Sequence, residues 1–222
     1  MKKVFILFFG MVISLSSVNA QVINDGGLEG LQLMTAISDK LGKVHGSPYL
    51  EDEFQYGSVI IPGKRSINVF LRYNVQDENI EIKTQKNSQE IYFLPGNREV
   101  VYNIQNETFL VDEIRYDGKR IAGYFIEHYD GENYRLLEKP ESRISDAVQA
   151  KSSYEKDKPA EIKINSEFYI VDAQGNVENV RVKHRDVRKV FKSKAAKDFL
   201  SSNKIKSKED LASFVAFLDK NS

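Results

Sequence analysis

From about Gly57 onward, hydrophobic and polar residues alternate, the spacing that places every second side chain on one face of a β-strand. Ile67, Val69, Leu71 and Tyr73 are separated by Asn68, Phe70 and Arg72, and Ile80 and Ile82 are flanked by Glu81 and Lys83. The same alternation predicts strands over 90–94, 99–104, 108–116, 120–128 and 133–137. Pro62-Gly63, Asp77-Glu78-Asn79, Pro95-Gly96-Asn97, Asp117-Gly118 and Asp130-Gly131 fall between them. Asp-Gly between alternating runs is a hairpin signal, because the tight turn needs positive φ at its central residues. Short turns exclude the long crossovers that parallel strands require, so the order predicted is an antiparallel meander.

Helical spacing precedes and follows this sheet. Leu28, Leu31, Met34, Ala36 or Ile37, and Leu41 predict a short helix over 28–41, with Asp25-Gly26-Gly27 before it and Gly42 after it. Gly30 inside that segment costs about 1 kcal/mol relative to alanine. Periodicity is lost over 139–160, where Lys139-Pro140-Glu141-Ser142-Arg143 and Lys156-Asp157-Lys158-Pro159 read as the ends of a polar connection. A second hairpin follows, with strands over 161–171 and 177–182 around Asp172-Ala173-Gln174-Gly175-Asn176. Val187, Val190 and Phe191, then Ala195, Phe199 and Leu200, restore the helical stripe. Ser207 with Asp210 three residues on forms the signature of a capping box ahead of Leu211, Phe214, Val215 and Leu218. The expected class is α+β: an antiparallel β-meander with an N-terminal helix and a C-terminal group of short helices.

The first twenty residues read as an address. Met1-Lys2-Lys3 is a short positive start, the apolar run from Val4 to Leu15 is broken by Ser16-Ser17, and Val18-Asn19-Ala20 sets small residues where a signal peptidase cuts. Spanning a bilayer takes about 18 or more apolar residues in a row, and this run is shorter. The predicted divisions are a signal peptide over 1–20, an N-terminal helix and antiparallel sheet over 21–138, a polar connection over 139–160, and a β-hairpin with a basic helical tail over 161–222. The chain has no cysteine, which excludes thiol chemistry, disulfide staples and the lipid-bearing cysteine of a bacterial lipoprotein. The expected location is therefore the periplasm or the exterior, with no stable membrane span after signal cleavage.

Charge is unevenly placed. Residues 21–140 carry 13 basic and 19 acidic side chains, whereas 181–208 carry 11 basic ones against Asp186 and Asp198 alone. Lys183, Arg185, Arg188, Lys189, Lys192, Lys194 and Lys197 offer a positive face for an anionic surface, with a solvated helix face as the plainer alternative. Nucleic acid is not an expected partner of an exported chain.

Candidate chemistry is sparse. His45, His128 and His184 are far apart and fit no zinc spacing, although His128 shares a strand face with Asp130. The segment from Asp172 to Glu178 resembles a calcium loop but lacks its acid order, and a hairpin turn accounts for Asp, Gly and Asn. Glu51-Asp52-Glu53 is a denser acid cluster without further ligands in view. No nucleophile elbow, phosphate loop or dinucleotide fingerprint occurs. No catalytic, cofactor-binding or metal residue is assigned, and no cofactor is expected.

Gly46-Ser47-Pro48-Tyr49-Leu50, Phe54, Leu71-Arg72-Tyr73-Asn74 and Gly123-Tyr124-Phe125, with the lysine-rich helical tail from Val187 to Leu218, resemble a family of uncharacterised exported proteins of Bacteroidota-type bacteria. The resemblance implies a protein of the cell envelope and brings no established activity with it.

The expected function is that of a non-catalytic exported envelope protein, an interaction or structural module docking on an envelope partner through a sheet edge, an aromatic face or the basic tail. The alternative is a binder of a small apolar or glycan ligand held in a curled β-sheet. A closed barrel with an apolar lumen favours the second, a filled core with an exposed aromatic patch the first, and clustered acids or histidines in a cleft an enzyme.

Overall fold

The structure is a computed structural model that describes residues 34–35, 44–63, 66–94, 96–150 and 157–222. The predicted signal peptide lies outside these residues. So does the predicted helix over 28–41, apart from Met34–Thr35, a two-residue strand β1. Ten more strands follow: β2 Gln55–Ile60, β3 Ile67–Asn74, β4 Asn79–Lys83, β5 Tyr92–Phe93, β6 Val101–Ile104, β7 Glu107–Tyr116, β8 Lys119–Asp130, β9 Tyr134–Ser145, β10 Glu161–Asp172 and β11 Val177–Val180. Three helices end the chain: α1 His184–Val190, α2 Lys194–Ser202 and α3 Lys208–Lys220. Among the described residues the fold is thus mostly antiparallel sheet, with the helices at the C-terminal end.

All strands join one sheet in the order β1-β5-β4-β3-β2-β6-β7-β8-β9-β10-β11, and every named pair is antiparallel. This departs from a simple meander at two places: β1 pairs with β5 and not with β2, and β6 pairs with β2 and not with β5. The free edge of β2 accepts it because Gly57 has no side chain there; a Cβ would collide with the backbone oxygen of Asn103. Asp117 and Gly118 take φ of 49° and 72° between β7 and β8, the turn that their dipeptide predicts.

The sheet curls until its distant strands meet. His45 bridges Glu161 of β10 in parallel, and Tyr49 bridges Asn74 of β3. Segment 45–49 thereby closes a ring formed by β3, β2, β6, β7, β8, β9 and β10. Gly123 (φ +123°) on β8 leaves the space in which Glu78, from the β3–β4 turn, meets Lys139 of β9 at 2.6 Å.

Three clusters fill this frame. Inside the ring, Val69, Leu71, Tyr73, Tyr102, Phe109, Tyr124 and Ile126 pack together. Farther along, Leu136, Phe168, Ile170 and Val180 are covered by Val187, Leu200, Leu211, Phe214 and Leu218 of the helices. On the opposite face, Ile114, Phe125, Leu137 and Tyr169 form a smaller core. The alternation read from sequence is what sorts Tyr124 and Ile126 into one core and Phe125 into another.

The connection expected over 139–160 needs correction. Strand β9 continues through Lys139 and Pro140 to Ser145, with Lys139 paired to Glu167 and Ser142 to Ile164 of β10. The polar residues there are strand residues whose side chains find polar partners, as Lys139 does at Glu78 and Ser142 at Gln76 (2.8 Å).

Candidate functional site

At one mouth of the ring the core is not filled. Leu71 and Tyr73 of β3, Ile104 of β6, Phe109 of β7 and Ile126 of β8 form the apolar floor of a cleft of about 300 Å³. Leu50, Glu51 and Glu53 make one wall, and Gln105 and Asn106 of the β6–β7 turn with Glu107 at the start of β7 make another. Glu138 of β9 and Lys208 of α3 complete it. The volume sits at the lower end of the range for small-molecule sites, and an apolar floor under a few polar groups is their usual composition.

Arg72 fixes the first wall. Its guanidinium lies 3.6 Å from the Tyr49 ring centroid and 4.4 Å from that of Phe54. It donates to Glu81 at 2.6 Å and to the Asp52 carbonyl at 2.8 Å. Segment 49–54 is therefore held to the sheet by one planar cation that stacks and hydrogen-bonds at once.

The polar end is built around Glu138, which is 6% exposed. Its Oε2 lies 2.6 Å from Nε2 of His128, and the imidazole stacks on Phe168 with ring centroids 6.0 Å apart. Burial raises the Glu138 pKa, but hydrogen bonds from His128 and Ser166 and the charges of His128 and Lys208 outweigh it, leaving the carboxyl below its ordinary value. Lys208 pairs with Glu107, so the first turn of α3 is tied to the start of β7 across the cleft.

Deeper in the ring, the Tyr124 ring lies 5.6 Å from that of Tyr73 and 5.9 Å from that of Tyr102, centroid to centroid. Burial raises the pKa of all three, so they are neutral phenols. The Tyr102 and Tyr124 hydroxyls approach each other without reaching the geometry of a full hydrogen bond.

The residues singled out in the sequence fall elsewhere or take other partners. His45 closes the ring through its backbone and His184 opens α1. His128 pairs with Glu138 and not with Asp130, because a bulge between Glu127 and Tyr129 shifts the register. Asp172 caps its own turn, accepting from Asn176 N at 2.8 Å and Gln174 N at 3.0 Å. Asp52 accepts from Ser47, while Glu51 and Glu53 stand exposed at the cleft wall. Among the described residues, no group of three or more His, Asp or Glu side chains is arranged to hold a metal ion. Phe109, Glu138 and Lys208 carry no local signal in the sequence, because they reach the cleft from three elements far apart in the chain.

No protein family matches the chain, and no curated protein or solved structure matches it either. Among the described residues, no helix is long and apolar enough to cross a membrane.

Proposed function

We propose that this chain is an exported, non-catalytic binding protein that holds a small ligand with an apolar body in the cleft at the mouth of its curled sheet. The observation that carries this reading is the floor of Leu71, Tyr73, Ile104, Phe109 and Ile126 beneath a polar rim. A cavity so lined gains affinity by removing apolar ligand surface from water. Several of the charged groups around it are engaged within the protein, Glu138 with His128, Lys208 with Glu107 and Arg72 with Glu81, while Glu51 and Glu53 stand exposed at the rim. Such pairing suits groups that shape and orient more than groups that react.

Docking through an exposed aromatic face draws less support. The exposed large apolar residues among those described are Tyr56, Tyr116, Ile144 and Val148, single side chains on separate segments.

The test is titration of the chain from Gln21 onward with N-phenyl-1-naphthylamine, a neutral apolar probe that fluoresces on leaving water. Saturable binding of one probe per chain is expected, and it should weaken at least ten-fold in Leu50→Trp, which crowds the cleft from its half-buried wall. Unsaturable binding, or equal binding by a folded Leu50→Trp variant, would remove the cleft from consideration.

A further inference from the structure

A second surface stands apart from the cleft. Lys183, Arg188, Lys189, Lys192, Lys194, Lys197, Lys204 and Lys206 are all exposed on α1, α2 and the segments flanking them. None has an ion-pair partner among the described residues. Asp186, one of two acids within that stretch, is already held by Arg181 at 2.9 Å and Arg185 at 3.7 Å. The two ends of the basic stretch meet: His184 N of α1 donates to the Ile205 carbonyl at 3.1 Å, between Lys204 and Lys206, and after burial the charges of Lys204 and Arg188 lower the His184 pKa. The apolar faces of the same helices are consumed inside, where Val187, Ala196 and Leu200 cover the sheet. What these elements present outward is charge.

We propose that this basic face docks the protein on a membrane surface rich in anionic lipid headgroups. Three features favour a lipid surface over a single acidic ligand. The cations come from several elements and are all exposed, whereas a phosphate pocket needs convergent, sheltered donors. Seven of the eight are lysines, which act as point charges on flexible stems and suit a diffuse charge layer better than bidentate recognition. The rest of the chain is acidic, with 19 acidic against 13 basic residues over 21–140, so an anionic surface orients the molecule with its helices inward. Attachment of this kind is peripheral and ionic; it neither needs nor implies a spanning segment. It stands whether or not the cleft holds a ligand.

The experiment is co-sedimentation of the chain from Gln21 to Ser222 with vesicles of phosphatidylcholine, and with vesicles of phosphatidylcholine and phosphatidylglycerol. Binding to the anionic vesicles alone is expected, and it should collapse when salt shortens the screening length. Each basic side chain near such a surface contributes about five-fold in partitioning. Lys189→Glu, Lys192→Glu and Lys197→Glu together should therefore abolish binding while leaving circular dichroism unchanged, since all three side chains are exposed and unpaired. The control Lys119→Glu, at the exposed start of β8, should bind as the parent does. No binding to anionic vesicles at low salt, equal binding to neutral vesicles, or undiminished binding by the triple variant would each overturn the proposal. Binding to soluble polyphosphate without binding to vesicles would overturn it too, in favour of a polymeric partner.

Discussion

Glu138 and Lys139 are consecutive residues of β9, 6% and 3% exposed, and they point to opposite faces of the sheet. Each is tolerable inside only because a partner waits: His128 and Ser166 for the carboxylate, Glu78 for the ammonium. An unpartnered charge at either site would disfavour folding strongly. The Glu138 pair carries a pH signature. Burial raises its pKa, but the hydrogen bonds from His128 and Ser166 and the charges of His128 and Lys208 lower it by more, so the folded value lies below the unfolded one. A depressed carboxylate pKa contributes stability above the unfolded value, and that contribution is lost as pH falls through the folded one. The unfolded value for glutamate is about 4.3, so the loss falls in acid, below about pH 5. Glu138→Gln should be less stable than the parent at neutral pH, and the gap should close as pH falls. Urea midpoints at a series of pH values measure this; a gap that stays constant down to pH 3 would show that the pair contributes nothing through its charge.

At the scale of elements, the helices and the strands drew on different kinds of information. Helix α3 was legible in the sequence down to its first residue. Ser207 accepts from Asp210 N at 3.2 Å and the Asp210 carboxylate accepts from Ser207 N at 3.0 Å, so both halves of the capping box are local. Ser207→Ala should destabilise the protein by about 1 kcal/mol, measured by urea unfolding; a change indistinguishable from zero would mean that the helix is held by packing alone. The turns at Asp117-Gly118 and Asp172–Asn176 were legible for the same reason, since their chemistry lies within a few residues. The second half of β9 was not. Between Lys139 and Ser145 its polar side chains break the alternation, and Lys139 and Ser142 answer Glu78 and Gln76, partners 61 and 66 residues away, while the backbone pairs with β10. The cleft was illegible on the same ground. The position of β6 beside β2, the bulge at Glu127/Tyr129 and the arrival of Lys208 opposite Glu107 are long-range facts, and alternation specifies a face of a strand without naming its neighbours.

Taken whole, the molecule joins through β9 and β10 two regions that composition had separated. The twelve residue pairs of that ladder run from Glu161↔Ser145 to Asp172↔Tyr134. The same two strands contribute Leu136, Phe168 and Ile170 to the core under the helices and Leu137 and Tyr169 to the core behind. The helical cover is further tied to the ring by Lys208–Glu107 and by Asp219, whose carboxylate accepts from Asn133 N, Tyr134 N and the Tyr129 hydroxyl. Loosening the helices would bare one face of strands whose other face and whose backbone ladder belong to the ring. The cost of partial opening is therefore shared by both regions, which is the condition for cooperative unfolding. Near-ultraviolet circular dichroism reports the buried Tyr73, Tyr102 and Tyr124 of the ring, and far-ultraviolet circular dichroism reports sheet and helices together. In urea the two signals are expected to change in a single transition with one midpoint. A far-ultraviolet change that runs ahead of the tyrosine signal would mean that the helices open on their own, and that β9 and β10 transmit less stability across the sheet than their shared cores imply.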